Sequence, residues 1–183
     1  EIKKAMSSVP LNQSKGMQWL ITHMPAEDLK NVKAEFLLLN SNIAYQAREN
    51  TKWGQEIPEN LFFSYVLPYA NLNETVESWR LDFFNKFYPM VKDMQSAYDA
   101  VVFLNQKIFD ELGVIYSTKR PKADQSPYES INAGMASCTG LSILLIDVCR
   151  SVGIPARFVG TPSWYNNSGN HSWVEIWDGE WHF

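Results

Sequence analysis

Hydrophobic residues fall at helical spacing along most of the chain up to Val152 and switch to alternation beyond Pro155. Trp19-Leu20-Ile21 forms a short apolar stretch behind Ser14-Lys15-Gly16-Met17. Pro25-Ala26-Glu27-Asp28, with proline in the first turn and acids behind it, predicts the start of a long helix. Its apolar positions Leu29, Val32, Phe36, Leu39, Ile43 and Ala47 lie three or four apart. Gly54, Pro58 and Pro68 interrupt helix, so residues 51–73 read as loop or short irregular structure around Phe62-Phe63-Ser64-Tyr65. Helices are predicted again over Glu74–Tyr88 and Asp93–Leu112. The second carries Tyr98, Val101, Val102, Leu104, Ile108 and Phe109 on one face and has Gly113 as its C-cap. Residues 117–136 are polar and rich in turn formers.

A helix is predicted over Ser137–Ser151, with Leu141, Leu144, Leu145 and Val148 on its apolar face, stopping at Gly153 before Pro155. Strands follow at Arg157–Thr161 and Ser172–Trp177, and a third begins at Glu180. Asp178-Gly179 reads as a two-residue hairpin turn. In that register 177 pairs with 180, paired positions sum to 357, and the position opposite His171 is 186, past Phe183. Helices first and an antiparallel sheet afterwards define an α+β fold. The division expected is a helical N-terminal region, 1–92, and an α+β core, 93–183, whose nucleophile-bearing helix packs on a sheet cut at its C-terminal end.

Composition narrows the function classes. The 183 residues are 45% hydrophobic and 14% aromatic, which suits one packed domain and excludes a disordered chain. A net charge of −4 gives no general pull toward nucleic acid or anionic membrane. No apolar run approaches the roughly 20 residues of a membrane span. The chain opens on Glu1 without a secretory leader and stops in what reads as a strand, so a processed or truncated chain is expected.

The candidate chemistry lies in the last third. Cys138, in Ala136-Ser137-Cys138-Thr139-Gly140, stands at a predicted helix start, where unpaired N–H groups favour a thiolate and can stabilise an oxyanion. His171, at the start of a predicted strand, can accept the thiol proton and return it to a leaving group. Glu175, four residues along the strand, is roughly 13 Å away and too far to orient the imidazole. Asp178 is farther. The orienting acid is therefore expected near position 186. Cys149, mid-helix beside the apolar face, reads as packing, and roughly 16 Å of helix keeps it from bridging Cys138. Trp164 is the tryptophan best placed for substrate contact, because its loop precedes the His171 strand. His23 and His182 read as incidental, and Lys119-Arg120-Pro121-Lys122 as a solvated loop. No Cys/His spacing suggests zinc and no glycine-rich loop suggests nucleotide, so no metal or cofactor is expected.

From about Asp93 to Phe183 the chain resembles the transglutaminase-like core, a relative of the papain-type cysteine enzymes. The likeness runs through Ala136-Ser137-Cys138-Thr139-Gly140, Val152-Gly153-Ile154-Pro155-Ala156-Arg157, Asn170-His171-Ser172-Trp173-Val174-Glu175 and Asp178-Gly179-Glu180-Trp181. It implies a triad of Cys, His and an Asp on the next strand, of which Cys138 and His171 match the first two. Tyr65-Val66-Leu67-Pro68-Tyr69 through Trp79-Arg80 is similar to helical leader regions of bacterial members. The expected activity is cysteine-dependent acyl transfer or hydrolysis at a peptide or glutamine amide, through a Cys138 thioester with His171 as general base. The expected partner is a protein or peptide substrate, and the expected location is secreted, envelope or periplasmic. The alternative is a non-catalytic module of the same fold that binds peptide, glycan or a partner protein.

Overall fold

Local signals set several helix ends. Ser96 accepts the Asp99 N–H at 3.0 Å, and Gly113 closes the same helix in left-handed backbone (φ 67°). Ser126 and Glu129 form a capping box ahead of a helix with Pro127 in its first turn. The computed structural model describes residues 1–166 and 169–183. Its helices are α1 Ile2–Ser8, α2 Ser14–His23, α3 Asp28–Asn31, α4 Ala34–Asn50, α5 Lys52–Glu56, α6 Glu59–Tyr65, α7 Arg80–Val91, α8 Ala97–Leu112, α9 Pro127–Ala133 and α10 Cys138–Ser151. The strands are β1 Ile115–Tyr116, β2 Met135–Ala136, β3 Ala156–Thr161, β4 His171–Trp177 and β5 Trp181–His182. β1 and β2 form a short parallel pair, and β3-β4-β5 is an antiparallel sheet. The fold is α+β, and α10 packs at its centre against α7, α9, β3 and β4.

The structure corrects several sequence expectations. The long helix from Asp28 breaks at Val32 and Lys33, which are extended. The break lets Val32 bury its side chain, and the Glu1 carboxylate takes up the Ala34 N–H at 2.8 Å where α4 begins. Residues 51–73 hold two helices rather than loop. Gly54 and Pro58 look like helix breakers but have other uses here. A Cβ on Gly54 would sit 2.6 Å from the Arg48 carbonyl, so glycine permits close packing of α5 on α4. Pro58 stands at the N-cap of α6, where its missing N–H costs nothing. The helix expected from Glu74 begins only at Arg80, because residues 71–79 are held by side chains. Glu74 accepts the N–H groups of Asn71 and Leu72, and the Trp79 indole donates to the Tyr69 carbonyl. The polar stretch 117–136 contains α9.

The hairpin also differs. Trp177 pairs with Trp181 and Ile176 with His182, so paired positions sum to 358 and the connection is Asp178-Gly179-Glu180. Asp178 anchors this turn by accepting the Tyr98 N–H at 3.0 Å, in the first turn of α8.

One apolar cluster joins α10 to α7, α8 and the sheet, with Trp79, Phe87, Leu104, Ile108, Leu144, Val148 and Ile154 wholly buried or nearly so. A second, containing Met17, Leu37, Phe62 and Leu67, lies among α1, α2, α4 and α6. Between them runs the segment Tyr65–Ala70, largely outside secondary structure, whose six carbonyls all accept hydrogen bonds. Arg80 donates to Val66, Leu67 and Pro68, and also to Asn40 Oδ1 and the Arg150 carbonyl. Arg150 donates to Tyr65, Pro68 and Ala70, and to the Ala156 carbonyl at the start of β3. Asn40 adds a second bond to Leu67, and Trp79 takes Tyr69. Buried carbonyls must be paired, so these side chains replace the ladder the segment lacks. Among the described residues no helix is long and apolar enough to cross a membrane.

Two outcomes follow from this packing. Arg80→Ala takes a donor from five acceptors, leaves two of them, Asn40 Oδ1 and the Val66 carbonyl, with no other among the described residues, and is expected to destabilise the fold by at least about 3 kcal/mol in urea unfolding. Burial pushes the Glu129 carboxyl up, but the Ser126 N–H, Lys122 and Thr75 outweigh it and hold it at about 2. The stability this gives is present above the ordinary value of 4.5 and is lost as pH falls through about 2. Glu129→Gln is expected to flatten the pH dependence of the unfolding midpoint within that window.

Candidate active site

Helix α10 begins at the residue of interest. Ser137 is extended (φ −90°, ψ −175°) and occupies the N-cap position, and Cys138 is the first helical residue. The first helical bond runs from the Leu141 N–H to the Ser137 carbonyl, at 2.9 Å. The N–H groups of Cys138, Thr139 and Gly140 therefore lie outside the helical ladder. Gly140 is required by proximity. A Cβ there would meet the Ala136 Cβ at 2.9 Å, so only glycine lets the strand-to-helix turn fold back on the first turn of α10.

Cys138 is half-buried and borders a groove of about 730 Å³. Asn105 and Phe109 of α8, Tyr116 of β1, and Leu141, Ser142 and Leu145 of α10 form one side. Trp164, residues His171–Glu175 of β4 and Phe183 form the other. The groove thus brings together Cys138, His171 and Trp164, the three residues the sequence singles out. Trp164 meets His171 edge-on, with ring centroids 4.5 Å apart, and Trp173 lies 6.3 Å from the same ring.

Strand alternation qualifies the pairing of thiol and imidazole. Val174 and Ile176 pack into the core built on α10, and Ser172 is buried on the same face. His171, Trp173 and Glu175 alternate with them and occupy the other face. No hydrogen bond joins the Cys138 thiol to the His171 ring among the described residues. The two groups border one groove.

The acids near His171 are committed elsewhere. Glu175 Oε2 accepts two bonds from Arg157, at 2.9 and 2.6 Å, and Asp178 accepts the Tyr98 N–H in the first turn of α8. Arg157 also lies over the Trp181 ring at 3.9 Å, and Trp181 meets Tyr65 edge-on, tying the sheet to α6. His182 contacts the Tyr98 ring at 5.2 Å. His23 stacks on Trp19 at 4.1 Å, far along the chain from the groove. Both thiols are free, and Cys149 is wholly buried, its thiol pushed up to about 12 by burial. Among the described residues no three His, Cys, Asp or Glu side chains gather to hold a metal ion.

Arg120, read from sequence as part of a solvated loop, is half-buried and donates from Nε to Ser137 Oγ at 2.9 Å. A serine preceding a helix start gave the only sequence hint that this loop returns to Cys138.

Residues 88–182 match the Transglutaminase-like superfamily, and the chain belongs to that superfamily. The fold is also similar to the crystal structure of a candidate cysteine protease from Cytophaga hutchinsonii, with a TM-score of 0.53 and 19% identity. The alignment covers 72% of this chain and 43% of that one, so the chain spans less than half the length of that protein. At this identity the likeness establishes fold. No curated protein matches the chain.

Exposure separates the two thiols. Iodoacetamide is expected to label Cys138 in the folded protein and spare Cys149 until denaturant is added, as read by peptide mass spectrometry.

Proposed function

We propose that the chain carries the nucleophile and base of a cysteine-dependent acyl-transfer enzyme acting on an amide of a protein or peptide. The observation that supports this most is the meeting of Cys138, on the first turn of a 14-residue helix, and His171 on one groove. In the reaction proposed, the Cys138 Sγ attacks the carbonyl carbon and its proton passes to His171. The C–S bond forms, and the free N–H groups at the start of α10 receive the oxyanion. As the intermediate collapses the C–N bond breaks, and His171 returns the proton to the departing amine. Water or a second amine then attacks the thioester, releasing acid or a new amide. Hydrogen bonds between such groups are often long before substrate binds, and an acyl group in the groove would draw the ring from Trp164 toward the thiol. The acid that orients the imidazole is proposed on the continuation of β5. In the observed register the position opposite His171 is 187.

A second reading, a module that binds peptide, glycan or protein without chemistry, draws on the absence of the thiol–imidazole bond and on the packing of His171 against Trp164. A secreted or envelope location remains part of the proposal through the likeness to exported bacterial forms, and recovery of the protein with the cytosol of its source cells would remove it.

A glutamine-containing peptide offered with and without a primary amine tests the reading. Ammonia release or amide exchange is expected, lost by at least about 1,000-fold in Cys138→Ala and His171→Ala. Exchange confined to the tube with amine identifies crosslinking, and hydrolysis in both identifies an amidase. Saturable peptide binding with no turnover, unchanged in Cys138→Ala, would establish the binding module instead.

A further inference from the structure

Resting on the reading of Cys138 as nucleophile, we infer that Arg120 is a positioning residue that keeps the start of α10 open for the oxyanion. A serine at an N-cap ordinarily turns its Oγ onto the second or third helical N–H, satisfying an orphan donor. Ser137 has the extended backbone of such a cap, yet its side chain makes no capping bond. Its Oγ is instead held by Arg120 Nε at 2.9 Å, and Arg120 Nη1 is itself fixed on the Thr118 carbonyl at 3.1 Å. Ser137 is 6% exposed, so water competes little for the hydroxyl. The consequence falls on Thr139 and Gly140. Their N–H groups, which Ser137 Oγ would otherwise occupy, stay free beside the thiol.

The chain treats its other serine-led helices differently. Ser96 caps α8 by accepting the Asp99 N–H, and at α9 Glu129 accepts the Ser126 N–H while no side chain draws Ser126 Oγ away. Among the described residues, only at α10 is the serine drawn off by an arginine, and only there does the helix begin with a cysteine on a groove. In the free protein the open start leaves a helix end uncapped. It gains a pair of donors aimed where negative charge develops when Sγ adds to a carbonyl.

The test separates acylation from simple thiol chemistry. With p-nitrophenyl acetate, Sγ attacks the ester carbonyl, the C–S bond forms, the C–O bond breaks, and p-nitrophenolate leaves in a burst. Alkylation by iodoacetamide displaces iodide from a saturated carbon and needs no oxyanion site. Loss of one oxyanion donor costs about 100- to 1,000-fold, so Arg120→Ala is expected to slow the burst by at least about tenfold. Its iodoacetamide rate at Cys138 is expected to stay within about twofold of wild type. Adding Ser137→Ala to Arg120→Ala removes the competing hydroxyl and is expected to restore the burst. A role for Arg120 in packing or in charge alone would leave the double variant as slow as the single one, and that result overturns the assignment. So does a burst unaffected by Arg120→Ala. A wild-type protein with no burst overturns the reading of Cys138 and the assignment with it. Labelling at Cys149 would mark a variant that has lost its core. Arg120→Met, which keeps the stem and removes the donors, then repeats the measurement with the same slowing expected.

Discussion

Two guanidinium groups buried on either side of the Tyr65–Ala70 segment hold together the parts that build the groove. The segment has almost no ladder of its own, and six consecutive carbonyls would otherwise be stranded between two apolar clusters. Arg80 and Arg150 take five of them, and Arg150 also takes the Ala156 carbonyl at the start of β3. A planar, permanently charged fork with five donors can do this where lysine cannot. Arg80 also donates to the Arg150 carbonyl, so the last turn of α10, the helical segments and the first strand of the sheet share one network.

That network gives α10 two unlike ends. Its C-terminal half is buried and carries Asp147 and Arg150 among apolar neighbours. Asp147 is fully enclosed, with its carboxyl pushed well above the ordinary range by burial and Arg150 opposing the shift, and it accepts Asn71 at 2.9 Å. Its N-terminal end is half-open, small and uncapped, with Cys138 on the groove. Anchoring one end so firmly fixes the other against the sheet, which a reactive thiol needs if it is to face the opening of β4. The likeness to the transglutaminase-like superfamily covers this half of the molecule. The arginine network extends the same rigidity into the helical part before it.

The parts read correctly from sequence are those where period and end signals agree. Residues 138–151 carry an unbroken apolar stripe ended by Gly153 and Pro155. Residues 171–177 alternate. Gly113 closes α8 where a C-cap is expected, although the helix starts at Ala97 behind Ser96 and not at Asp93. The misreadings share a cause, because a side chain's use depends on the group it packs against or bonds, which residue type alone does not specify. Gly54 looks like a breaker until Arg48 is seen against it, and Pro58 like a stop until α6 starts behind it. Asp178-Gly179 is a sound two-residue turn locally, but the Tyr98 N–H draws Asp178 into a longer connection. The Glu74–Trp79 stretch has helical composition, yet Asn71, Leu72 and Tyr69 claim its side chains. The α9 capping box, Ser126-Pro127-Tyr128-Glu129, was visible in the sequence and was hidden only by the polar company around it. Cys138, His171 and Trp164 were legible because residue type and predicted position coincide, whereas the bond between Arg120 and Ser137 has no sequence period to announce it.

The central claim is that Cys138 forms an acyl-thioester with help from His171. Acid-quenched mass spectrometry, seconds after mixing the protein with an activated acyl donor, reads that bond directly. The account predicts one acyl group per chain, hydroxylamine-labile, localised by fragmentation to Cys138, and absent in His171→Ala at the same time point. An unmodified chain, or an adduct that forms equally fast without His171, would contradict it.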